Sequence, residues 1–200
     1  DYAKWIITTC ISPDDDIEKR DLLDIENRWM YTVFLQALGK FLDCQFGYAR
    51  IDEMFEYASS SLNKYAHWMV ENEVPYLDFP EKLEYPNETW AIQDIRKANV
   101  LIFAGNYSAE DQNRRYLEKA EMIVKSAVRS FLDFDTQHLT RPIALIMQNI
   151  MMIEYAKTKQ FNILPVIKDI ESIQERNRRK GRIPQFSMSS ELQFIKWRLK

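Results

Sequence analysis

Two hundred residues with 46% hydrophobic content are enough to bury a core of ordinary size, and this composition excludes a disordered chain. Four glycines leave little room for the tight turns of a β-sandwich or the phosphate loops of a dinucleotide fold, so helices are expected. The net charge of −3, carried by an acidic body, argues against nucleic acid as the main partner, and no apolar run reaches the roughly 20 residues of a membrane-spanning helix.

We read residues 1–200 as a single all-α domain. It starts at Asp1 without a methionine and without a secretory leader pattern, so we expect a piece of a longer protein. Cys10 and Cys44 are too few for a disulfide framework or a zinc site. We expect both as buried free thiols, in keeping with a reducing, cytoplasmic setting.

Taken in chain order, the stretch "WMYTVFLQALGKFLDCQF" (29–46) is apolar around most of a helical circumference. That predicts a helix over 22–46 buried among others. Glu26, Arg28, Trp29 and Tyr31 form a polar and aromatic group at its head. Ile51, Met54, Phe55, Ala58, Leu62, Tyr65, Ala66 and Met69 recur three and four apart, predicting an amphipathic helix over 50–72. The loop "VPYLDFPEKLEYP" (74–86), with three prolines, is long for a helix connection.

Next, "AIQDIRKANVLIFAG" (91–105) predicts a second buried helix over 88–105, capped by Asn87 or Thr89 and stopped near Gly105. Tyr116, Leu117, Ala120, Ile123, Val124, Ala127, Val128, Phe131 and Leu132 predict an amphipathic helix over 109–133, with Glu118 facing water. Asp133, Asp135 and His138 suit helix capping better than a metal site, so we expect no metal. "RPIALIMQNIMMIEYA" (141–156), with Pro142 in the first turn, predicts a third buried helix over 140–158. Its Met147, Met151 and Met152 read as core filler. A weaker amphipathic pattern covers 164–179. The tail 174–200 holds eight basic residues against two acidic ones and reads as a solvated basic end.

Buried and amphipathic helices thus alternate as three consecutive helical hairpins. Together with the aromatic approach "YPNETW" to an inner helix, this order over about 22–179 resembles the (α/α) toroid of six-hairpin glycosidase-like proteins. Three hairpins make about half a closed ring. The remainder lies outside this chain, or the hairpins form an open, α-solenoid-like array. The resemblance implies a carbohydrate-active or carbohydrate-binding domain with its pocket at the heads of the inner helices. On that reading Trp90, Tyr85, Trp29 and Tyr31 offer rings to a sugar, while Gln93 and Arg141 bond to it. Any catalysis would be glycosidase-like, with carboxylates from Glu88, Asp94 and Glu26. Against this, Glu88 suits the first turn of a helix through its dipole, and Asp94 could pair with Lys97 or Arg96 on a solvated patch. No P-loop, nucleophile elbow or dinucleotide fingerprint is present, so no cofactor is expected. The alternative reading is a non-catalytic helical-repeat module that holds a protein partner or a second copy.

Overall fold

The computed structural model describes residues 2–136 and 139–158, and these are all-helical with no strand. The helices are α1 (Tyr2–Cys10), α2 (Ile25–Arg28), α3 (Met30–Gly47), α4 (Glu53–Asn72), α5 (Glu88–Gln93), α6 (Ile95–Asn106), α7 (Glu110–Leu132) and α8 (Thr140–Thr158). The predicted 164–179 helix and the basic tail 174–200 lie outside the described residues.

Local signals account for the boundaries. Asp52 caps α4, its Oδ1 accepting from Phe55 N at 3.0 Å, and Asn87 caps α5 by accepting from Thr89 N at 3.0 Å. Between α3 and α4 the chain reverses through Ala49 at φ 52°. Two predicted helices are broken near their heads. The first divides at Trp29 into α2 and α3, and the second divides at Asp94 into α5 and α6. Both joint residues keep right-handed helical angles, so each break is a change of direction rather than a loop. Helix α1 carried no clear periodic signal and was not anticipated.

The layering follows from which side chains meet. Gln36 bonds to Arg96, Gly39 lies against Phe103 and Asp43 accepts from Tyr107, so α3 and α6 run parallel. Asn99 bonds to Asn149, and Ile102 shares a cavity wall with Ile153, so α8 runs parallel to them as well. Helices α4 and α7 return in the opposite sense. Lys97 meets Val74 O just past the end of α4 while Asn63 meets Tyr107 O, and Asn113 at the start of α7 meets Gly105 O. Gly39 is required at the α3–α6 crossing, since a Cβ there would sit 2.3 Å from the Phe103 ring.

Helix α6 is central and buried from Ile95 to Gly105 except at Arg96, which is partly covered. Helices α4 and α7 bury the predicted stripes, except Leu132 at the end of α7, which is exposed, and leave Glu118 in water. Three expectations fail. Cys10 and Cys44 are exposed, Cys44 because it lies on the side of α3 opposite Leu42 and Phe46. Helix α8 buries Pro142, Leu145, Asn149 and Ile153 but leaves its outer half open, so it is not enclosed all round. Met147 and Met151 are therefore surface residues, 70% and 71% exposed.

Candidate functional site

The heads of α3, α5–α6 and α8 converge at one end of the bundle. Trp29 and Trp90 meet edge to face with centroids 6.1 Å apart, and Tyr76 from the long loop meets Trp90 at 5.5 Å. With Ile25 and Leu83 these rings form a small apolar cluster of their own. Trp90 is buried there as packing, and Trp29 is partly covered. Tyr85 is 71% exposed. Glu26 Oε2 accepts from Glu84 N at 3.1 Å, which holds the head of α2 beside the loop residue next to Tyr85. Glu88 is buried and accepts from the Thr136 hydroxyl, which ties α5 to the segment before α8.

Below the rings sits a closed ionic nest. Lys97 is fully buried, with Nζ 2.8 Å from Glu73 Oε2 and 2.7 Å from Asp94 Oδ1. The Asp94 contact is an ion pair rather than a well-aligned hydrogen bond. Nζ also donates to Val74 O at 2.7 Å and lies 3.4 Å from the centroid of the Tyr76 ring. Asp94 Oδ2 accepts from Tyr76 N at 3.0 Å, and the Tyr31 hydroxyl donates to Glu73 Oε1. Asp94 thus does pair with Lys97, but in the interior and not on a solvated patch.

Burial pushes the Asp94 carboxyl up to about 6 despite the opposing Lys97 charge, with Glu73 adding to the rise. For Lys97, burial acts to lower the ammonium, yet the Asp94, Tyr76 and Glu73 interactions outweigh it and hold the group above its usual range. Burial and the neighbouring Glu73 charge likewise raise the Tyr31 phenol well above its ordinary value.

Arg96, the preceding residue, meets a different environment. Its Nη1 donates to Gln36 Oε1 at 3.2 Å. Gln36 Nε2 donates to Asn149 Oδ1 at 2.8 Å, which also accepts from Asn99 Nδ2 at 2.8 Å, and Asn149 Nδ2 donates to Leu145 O. This row of amides stitches α3, α6 and α8 together without a carboxylate. Arg96 Nε, Gln93 Oε1 and Asn99 Oδ1 are enclosed without a hydrogen-bond partner. Burial lowers the Arg96 guanidinium, Tyr76 opposes that, and the charge of Arg141 on α8 lowers it further. Arg141 itself is exposed.

The arrangement therefore brings the predicted residues to one end but engages the three carboxylates: Asp94 with Lys97, Glu88 with Thr136 and Glu26 with a backbone N–H. Two-carboxylate hydrolysis requires groups free to flank a bond. Among the described residues no cluster of His, Cys, Asp and Glu has the makings of a metal site, and His138 of the Asp133–His138 loop lies outside them. Open space lies elsewhere, at two places among the described residues. One is an open groove between α1 and the start of α4, lined by Lys4, Asp52 and Tyr57. The other, about 250 Å³, is lined by Ile102, Leu117 and Ile153 toward the tails. Sequence reading missed Glu73 and the weight of Lys97 and Arg96. The available signal was two adjacent cations inside an otherwise apolar helix, which require counter-charges or covered polar partners. Gln36 and Asn149 carried the same signal as lone polar residues in apolar helices. No family model matches this chain, and no curated protein or solved structure matches it.

Proposed function

We propose that this chain is a non-catalytic helical interaction module that docks one amphipathic helix of a partner protein on the outer half of α8. One observation carries the reading. Leu139, Ile143, Met147 and Met151, spaced four apart, are all exposed, and no charged residue occurs from Pro142 to Ile153. A surface helix normally turns charged residues to that side. Four side chains cover a few hundred Å², which is the scale of a functional patch. A standard interface takes about 800 Å² per partner, so a single helix fits this face better than a second whole subunit. Flexible methionines suit such a surface.

The test is methionine-methyl NMR of the full chain with a synthetic Leu/Lys amphipathic helical peptide. The Met147 and Met151 signals should shift while buried Met69 stays fixed, and Met147→Lys/Met151→Lys should abolish the shifts without lowering the melting temperature. Absence of shifts, or self-association at the same concentrations without peptide, would overturn the choice of occupant.

A second reading, carbohydrate binding at the helix heads of a partial (α/α) toroid or solenoid-like array, is favoured by the parallel course of α3, α6 and α8 and by exposed Tyr85 beside Glu26. It is a binding role without hydrolysis, because the carboxylates are engaged. Calorimetry with neutral oligosaccharides, repeated on Tyr85→Ala, tests it. Trp90→Ala is a poorer probe because Trp90 is packed.

A further inference from the structure

Among the described residues Arg96, a partly buried cation, has no counter-charge, whereas buried charges are ordinarily paired. It donates only to the neutral Gln36 amide, and among the described residues neither Arg96 nor Arg141 makes an ion pair. Helices α6 and α8 are parallel with Asn99 level with Asn149. Arg141, eight residues before Asn149, and Arg96, three before Asn99, are then offset by about 7–8 Å along the bundle at 1.5 Å per residue. Arg141 stands close enough for its charge to act on Arg96. Of the acids at the same end, Glu88 is held by Thr136 and Asp94 by Lys97. Gln93 and Asn99, three residues to either side of Arg96, each keep an enclosed oxygen without a partner, so unsatisfied polar atoms concentrate along this segment.

We propose that Arg96 and Arg141 together form an oxyanion-binding site, which receives a carboxylate or phosphoryl group of a small polar ligand at the head end of the bundle. The guanidinium fork matches both oxyanions in bidentate geometry, and the positive end of α8 adds to the attraction. Occupancy supplies the counter-charge that no described residue supplies. The site is independent of the α8 outer face, so failure of one leaves the other standing.

The experiment titrates the full chain at low ionic strength with inorganic phosphate and with glucuronate, using glucose as the neutral reference, and reads calorimetric affinity and melting temperature. One or both anions should bind and raise the melting temperature while glucose does not. Preference for phosphate identifies a phosphoryl ligand, and preference for glucuronate a carboxylate. Arg141→Ala and Arg96→Met should each weaken binding about tenfold or more, and Arg141→Ala should melt as the wild type does in the absence of anion. Binding of neither anion, or binding unchanged in both variants, would reject the site.

Discussion

Lys97 and Arg96 are neighbours on one helix, both cationic and both drawn into the interior, yet their surroundings differ in kind. Lys97 faces two carboxylates, a carbonyl and a ring, and every one of its interactions is made within the chain. Among the described residues Arg96 faces the Gln36 amide, the Tyr76 phenol and another arginine, and no carboxylate. The first arrangement closes the joint between α4, the long loop and α6, as a fixed internal cross-link. The second leaves binding capacity unspent, which is how a fold pre-organises a site at some cost to its own stability.

The largest expected effect comes from breaking the closed nest. Lys97→Met leaves Glu73 and Asp94 as uncompensated buried charges and should cost about 3–5 kcal/mol in denaturant unfolding, severe for a domain of this size. A smaller effect is tied to pH. Asp94 holds its proton more tightly folded than unfolded, since its carboxyl is pushed from 3.8 up to about 6. Between about pH 4 and 6 the folded state therefore carries more protons, and stability falls as pH rises through that window. The groups facing Asp94 are Glu73, Tyr31, Tyr76 and Lys97, while Lys119 of α7 faces Glu73 and Lys97. Lys97, held above its usual range, contributes stability that is lost only in the alkaline region above about 10.5. Asp15 and Asp52, both held below the usual range, contribute stability lost below about pH 4. Asp94→Asn should flatten the pH 4–6 segment, a difference on the order of 1–3 kcal/mol between wild type and variant.

The layering was legible because helical periodicity records which side is wet, as the α4 and α7 stripes do to within a few residues. The head-end gathering of Trp29, Trp90, Glu88 and Arg141 was legible as a coincidence of residue types at three helix starts. What periodicity lacks is depth. Trp90 and Asp94 read as pocket residues because they are aromatic and acidic, and only the pairing of Asp94 with Lys97 and of Trp90 with Tyr76 reveals them as packing. Glu73 gave no signal in its own stretch, since its partner lies 24 positions away. Helix α8 failed in the opposite direction: an apolar circumference predicts cover on every side but does not say which chain supplies it.

The open row is the place to sharpen the contrast with the smallest perturbations. Arg96→Met removes one 3.2 Å hydrogen bond and the repulsion from Arg141, so stability should stay within about 1 kcal/mol of wild type, far from the Lys97→Met loss. Gln93→Leu is finer still. Its Oε1 is enclosed without a hydrogen-bond partner, so the amide bears a desolvation cost that no bond offsets, whereas leucine of similar volume bears none. The variant should be unchanged or up to about 1 kcal/mol more stable by thermal and denaturant unfolding. A loss above 1 kcal/mol would mean that Gln93 supports the fold, and the row would then be as closed as the nest beside it.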